Sequence, residues 1–385
     1  MRYSASQMRR LMVLPAAVLL AGAFLLGYGL PRGDRAASPV RAATVVDEVR
    51  EALASGYYRP VSPRVLRLGS VDAMLAALGD PYTAYLPRAD YALLRQEAAG
   101  SYVGIGVSVV PARAGLLVVA TRPGPARAAG IRVGDTILRI AGADARRGAT
   151  EALARITRTH ARRIRLELLR AGRVLRVSVA REHLRVRDVQ ARLLSYAGRR
   201  WGHVRLARFD TGAARSLRRE IELLERRGAA GLVLDLRDDP GGLLDEAVGV
   251  ASLFLDRGVV VSLRGAHRPP TVYRASGEAV SRLPLVVLVD RSTASSAEIV
   301  AAALRDHHRA AIVGERTYGK ALVQTIDPLG DGGALALTVA HYYTASGTDI
   351  SGVGVAPDVR AVDRLRTPTD EALTAALQTL ARPTS

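Results

Sequence analysis

The chain has 385 residues, 49% of them hydrophobic and 24% charged, which excludes an intrinsically disordered protein and leaves room for two or three folded units. Its formal net charge is +19, yet the basic residues are scattered and only 4% of residues are aromatic, so no stacking platform exists and nucleic acid is not an expected partner. The absence of cysteine removes a thiol nucleophile, and the seven histidines lack metal-ligand spacing, so neither a metal nor another cofactor is called for.

Arg9 and Arg10 precede 20 uncharged residues, 11–30, and Arg32, Asp34 and Arg35 follow them. At a rise of ~1.5 Å per residue such a helix crosses a ~30 Å hydrocarbon core. Residues 1–30 therefore read as a signal anchor in the inner membrane, with the remainder on the periplasmic or extracytoplasmic side of the cell envelope. Small residues at Ala36, Ala37 and Ala43 leave cleavage of a signal peptide open.

Residues 31–43 form a linker opened by Pro31. A helical region covers 44–98, with Val45, Val46, Val49 and Leu53 and then Val71, Met74, Leu75 and Leu78 at helical spacing, punctuated by Pro81, Pro87 and Asp90. Residues 99–182 change texture to short strands at 104–110, 116–120, 136–140, 164–169 and 174–179, with one helix-like run at 150–157. From 183 to 385, strands at 204–206, 231–236, 285–289 and 311–313 alternate with helices at 213–227, 243–255 and 296–306. Such alternation predicts an α/β core with parallel strands and active-site loops at their carboxyl ends.

Three segments of that core carry chemistry. Ser295 lies where the apolar strand 285–289 gives way to helix 296–306, so free backbone N–H groups such as that of Ser296 could hold an oxyanion. Serine is also a common helix cap, and position alone admits both readings. Lys320 is the only lysine, the other basic residues being arginine. A desolvated amine can deprotonate and a guanidinium cannot, so the one lysine stands where arginine would not serve as a base. It lies in the loop after the next strand. Neighbouring parallel strands would bring the two loops to one edge, where Lys320 could take the Ser295 proton and Gln324 could hold the amine. The third segment is the Pro240-Gly241-Gly242 turn, whose Gly241 or Gly242 N–H could donate to the oxyanion.

Together these segments resemble the carboxyl-terminal processing, or tail-specific, proteases, a Ser-Lys group of serine peptidases. The likeness runs from about 44 to 360 and rests on Thr293-Ala-Ser-Ser-Ala-Glu298, on Gly319, Lys320 and Gln324, on the 78–85 segment and on 352–358. It implies a crotonase-like core of sheets and helices, an N-terminal helical segment, and a β-rich PDZ domain at 99–182. Tyr102, Val103, Gly104, Ile105 and Gly106 would be its carboxylate-binding loop. It also implies an endopeptidase acting on protein or peptide substrates with accessible carboxyl termini, and admits an adaptor lipoprotein as partner. The order Ser296-Ala297 departs from the family run and makes Ser296 a rival nucleophile. Asp238, Asp239 and Asp290 stand where the family has asparagines, and their charge would raise the lysine pKa. Those departures motivate a second reading, an inactive, membrane-anchored PDZ scaffold that binds carboxyl termini.

Overall fold

The computed structural model describes residues 44–382 except 99–100, 113, 122–123, 148–160, 186–188, 278 and 364–368. The anchor expected at 11–30 and the helix-like run at 150–157 lie outside the described residues. Among the described residues no helix is long and apolar enough to cross a membrane. They form two compact units, 89–186 and a second made of 44–88 with 187–385.

Helix α1 (Val45–Gly56) starts at Thr44, whose hydroxyl accepts from the Asp47 N–H while the Asp47 carboxylate accepts from the Thr44 N–H. Val49 and Leu53, one turn apart, are wholly buried with Tyr57. Helices α2 (Pro63–Leu66) and α3 (Val71–Leu78) and strand β1 (Ala84–Leu86) follow. Met74 of α3 joins Val49, Leu53 and Tyr57 in one hydrophobic cluster with residues between 204 and 355. Three short helices cannot enclose a core alone, so residues 44–88 share the larger one.

Helix α4 (Arg88–Ala98) leads into the first unit, which holds β2 (Ser101–Gly104), β3 (Val107–Ala112), β4 (Gly115–Thr121), α5 (Pro125–Ala128), β5 (Thr136–Ile140), β6 (Ala143–Asp144), β7 (Arg163–Arg170), β8 (Arg173–Ala180) and β9 (Glu182–Arg185). An antiparallel sheet runs β3-β4-β5-β7-β8 with β6 on β5, and β2 pairs with β9. Ile164, Leu166 and Leu168 alternate inward on β7, the period-two pattern that buries one face of a sheet. The strand expected over 104–110 breaks at Ile105, whose carbonyl instead accepts from the Ala126 N–H at 2.9 Å.

The second unit continues with β10 (Val189–Tyr196), β11 (Arg199–Leu206), α6 (Ala213–Arg226), β12 (Leu232–Asp235), α7 (Leu244–Ser252), β13 (Val259–Gly265), β14 (Arg268–Arg274), β15 (Leu285–Val289), α8 (Ser296–Asp306), β16 (Ala311–Gly314), β17 (Leu322–Pro328), β18 (Ala334–Tyr343), β19 (Val359–Arg360) and α9 (Glu371–Ala381). A six-stranded sheet runs β10-β11-β12-β15-β16-β19, parallel except for β10. On β15, Leu285, Val287 and Val289 face one hydrophobic cluster, and Val286 and Leu288 face the other, against α9. Burial on both faces accounts for the unbroken apolar run of that strand.

On α6, Leu217, Ile221 and Leu224 share one face and are buried, each contributing about 1.5–3 kcal/mol. Helix α8 is buried from Ser296 to Leu304, which four alanines make sterically feasible. The second sheet, antiparallel β1-β18-β13-β14 with β17 on β18, is not apparent in the strand–helix alternation.

Strands β12, β15 and β16 are parallel neighbours, so the loops after them emerge at one edge. Gly314 closes β16 opposite Val289 with φ +129°, and a Cβ there would lie 1.9 Å from the Val289 carbonyl oxygen. Gly314→Ala is therefore expected to destabilise this unit by about 3 kcal/mol or more, read as a lowered denaturant midpoint. An unchanged midpoint would contradict this account of the strand pairing.

Candidate active site

Three loops converge at that edge, and hydrogen bonds tie them together. The Thr293 hydroxyl donates to the Leu236 carbonyl at 2.8 Å, and the Ala294 N–H to the Asp239 carbonyl at 2.9 Å. Tyr318 N–H donates to the Thr293 carbonyl at 3.0 Å. Behind the first loop, Arg237 binds Asp235 at 2.7 Å and Asp370, the cap of α9, at 2.9 Å. His203 lies 3.0 Å from the same Asp235 carboxylate. Burial disfavours the Asp235 anion, but His203 and Arg237 hold it well below the usual carboxylate range.

Ser295 precedes α8 in a conformation rarely adopted by a residue with a side chain, φ 60° and ψ −119°. Its side chain is completely buried, and its Oγ has no hydrogen-bond partner among the described residues. Ser296, the rival, differs: its hydroxyl donates to the Gly242 carbonyl at 3.0 Å, with Leu243 O at 3.3 Å.

Lys320 is 5% exposed. Its Nζ donates to Gln324 Oε1 at 3.1 Å, and the Gln324 amide donates in turn to the Tyr82 carbonyl. The Tyr82 ring lies 5.1 Å from the amine. Burial lowers the Lys320 pKa to about 8, while the charges of Asp80 and Glu298 act in the opposite direction. Ser295 Oγ and Lys320 Nζ are not hydrogen-bonded to each other.

The residue that joins the two loops is Glu298, one turn into α8 and fully buried. Its carboxylate accepts from the N–H groups of Ser295 at 2.8 Å, Gly319 at 2.7 Å and Lys320 at 2.9 Å, and from the Thr317 hydroxyl. One of its oxygens, Oε2, takes both the Ser295 and Lys320 N–H groups, which draws those two backbones together. Burial pushes its pKa up, and the four donors oppose that by favouring the anion. In the sequence Glu298 stands only as the end of the Thr293–Glu298 motif, with no task assigned to it. The Ser-x-x-Glu spacing of a capping box was the available signal, although the carboxylate also reaches a second loop.

The acidic departures lie elsewhere in the site's electrostatics. The carboxylates acting on Lys320 are Asp80 and Glu298, not Asp238, Asp239 or Asp290. Asp290 accepts from the N–H groups of Asp238, Ser292 and Thr293, and Asp238 pairs with Arg205. Asp239 does bear on the site, because its Oδ1 accepts from the Gly241 N–H at 2.8 Å. That engagement corrects the expectation that Gly241 offers a free oxyanion donor. The N–H groups of Gly242 and Ser296 have no acceptor among the described residues. A Cβ on Gly241 would lie 2.8 Å from both Ser295 Cβ and Ser296 N, so only glycine lets the turn approach the serine this closely.

Of the first-unit candidates, Tyr102, Val103 and Gly104 belong to β2, while Ile105 and Gly106 follow it. Glu298→Gln would present an amide N–H to a pocket of donors. It is expected to cost about 2–4 kcal/mol in denaturant unfolding, and wild-type stability in that variant would show that the carboxylate does not hold the loops.

The profile of peptidase family S41 matches residues 200–361. The carboxyl-terminal-processing protease of Picosynechococcus is 38% identical over 78% of this chain and 74% of its own length. The chloroplastic C-terminal processing peptidase of Tetradesmus obliquus is 34% identical over 81% and 71%. Among solved structures, the photosystem II D1 C-terminal processing protease aligns at TM-score 0.60 and 31% identity, covering 89% of this chain and 98% of that one. An S41 protease from Bacteroides fragilis, described as putative, aligns at TM-score 0.62 but only 17% identity, over 91% and 99%, and bears on the fold alone. On profile, relatives and structure together, the chain belongs to peptidase family S41, among the carboxyl-terminal processing serine proteases.

Proposed function

We propose that the chain is a serine endopeptidase working through a Ser295–Lys320 dyad, with Gln324 positioning the amine. The observation that carries this reading is a pair: Ser295 Oγ is buried without a partner among the described residues, and the backbone N–H groups of Ser295 and of the buried Lys320, the protein's sole lysine, meet on one Glu298 oxygen. Ser296 is the weaker nucleophile because its hydroxyl is already committed to backbone carbonyls.

In the proposed cycle, substrate binding brings Lys320 Nζ within reach of Ser295 Oγ, and the neutral amine takes the hydroxyl proton as Oγ attacks the scissile carbonyl carbon. The Ser296 and Gly242 N–H groups hold the oxyanion. The Lys320 ammonium then returns its proton to the departing amine, which leaves an acyl group on Ser295. A water gives its proton to Lys320 and hydrolyses the ester, restoring both residues. Gln324 Oε1 accepts from the amine throughout and keeps its lone pair aimed.

The first unit is proposed as a PDZ domain spanning 99–182. It would capture substrate carboxyl termini on the loop Tyr102, Val103, Gly104, Ile105 and Gly106, with β-strand addition supplying affinity. The core is proposed as crotonase-like, and residues 11–30 as the segment that fixes the enzyme in the envelope. The scaffold alternative loses its motive, because the acidic departures are not the charges that act on Lys320.

Only a neutral amine can act as base. With a pKa of about 8, roughly a tenth of Lys320 is neutral at pH 7, against about one part in three thousand at the ordinary value of 10.5. Cleavage of an unfolded protein should rise with pH, about tenfold per unit below 8, and level off above it; a profile flat from pH 6 to 9 would remove Lys320 as the base. Lys320→Ala and Ser295→Ala should each lower kcat/KM at least a thousandfold. Ser296→Ala should keep most activity and lose about 1 kcal/mol of stability. Retained cleavage by Ser295→Ala together with loss in Ser296→Ala would exchange their roles.

A further inference from the structure

The loop carrying Lys320 borders two cavities of the second unit. The smaller, about 280 Å³, includes Lys320, Tyr58, Tyr82 and His341 in its wall. The larger, about 640 Å³, is lined by Arg291, Glu315, Arg316, Val353 and Arg360. Tyr318 and Gly352 belong to both, so the two cavities adjoin beside the lysine.

Charge in the larger cavity is unbalanced. Arg291 Nε pairs with Glu315 at 2.7 Å, and no other carboxylate among the described residues lines the wall. Arg316 has only a 3.4 Å contact with the Val353 carbonyl, and the Arg360 side chain makes no ion pair or hydrogen bond among the described residues. Guanidinium groups keep their charge at any physiological pH, and their flat fork matches a carboxylate. A peptide extended from the lysine advances ~3.3 Å per residue, so a group a few residues from the scissile bond is the one placed to enter.

We propose that this arginine-lined cavity is a substrate subsite for a carboxylate, an acidic side chain or the chain's own terminus, held by Arg316 and Arg360 close to the cleaved bond. It rests on the peptidase reading and adds to it a charge preference at the site itself, separate from any capture of tails by the first unit. Neither arginine belongs to the proposed catalytic machinery.

The test uses full-length Ser295→Ala protein, which binds without turnover, and fluorescence anisotropy with three versions of one unstructured peptide. One carries an acidic side chain and an amidated end, one is neutral with a free carboxylate, and one is neutral and amidated. At least one carboxylate-bearing version should bind about tenfold more tightly than the neutral amide, less so at high salt, and whichever does so identifies the source. Adding Arg316→Gln and Arg360→Gln should shrink that preference to less than twofold, with about threefold lost for either alone. The doubly substituted protein should keep the circular dichroism spectrum and denaturant midpoint of its Ser295→Ala parent, which establishes that the fold is intact. A preference that survives both substitutions would place the carboxylate elsewhere and overturn the proposal, as would equal or undetectable binding of all three peptides. Because binding is read without turnover, this outcome is separate from failure of the Ser–Lys reading, which shows only in the cleavage of wild-type protein.

Discussion

A buried carboxylate that accepts from four donors on two different loops is the constraint on which the site depends. Glu298 collects the N–H of Ser295 on one side and those of Gly319 and Lys320 on the other. Burying an anion costs several kcal/mol unless its oxygens are satisfied, and here donors supply what water would have given. The interaction is cooperative in space. If either loop withdrew, the carboxylate would be left partly unpaired in an apolar surrounding, so the two loops are held in one arrangement.

Lys320 shows the complementary use of burial. Desolvation weakens the ammonium form and brings the pKa to about 8, while Asp80 and Glu298 keep it from falling further. The amine is therefore poised between charge states at physiological pH. Gln324 adds direction without charge, since its amide satisfies the lysine through Oε1 and is itself anchored on the Tyr82 carbonyl. That anchor connects the site to residues 44–88, the segment that shares the larger core. Tyr82 and Asp80 arrive on the short stretch between α3 and β1, and β1 is bound into the sheet through β18.

The serine's strained backbone belongs to the same design. With φ 60° the residue departs from both helix and strand, a cost of roughly 1–3 kcal/mol that the surrounding bonds sustain. Gly241 makes room for it by lacking a Cβ. The Arg237 cluster steadies the turn from behind and ties it to α9.

Much was legible from sequence because local pattern and chain order carry it. The apolar run at 285–289 marked a strand, the alternation after 204 marked parallel strands, and the solitary lysine two loops from a Ser-x-x-Glu run marked a candidate site. Other features depended on contacts between residues far apart in the chain. The antiparallel sheet of β1, β13, β14, β17 and β18 joins segments more than two hundred residues apart, and the exposed, proline-bearing β14 resembles a loop when taken alone. Ser296's hydroxyl being taken by Gly242 and Lys320's field being set by Asp80 depend on distances that no local spacing encodes, whereas Gly241's N–H is taken by Asp239 two residues earlier, a turn contact open to local sequence. Residue type determined which groups could be nucleophile, base and donor; only the tertiary structure decided which were already engaged, because hydrogen bonding and desolvation act through space and not along the chain.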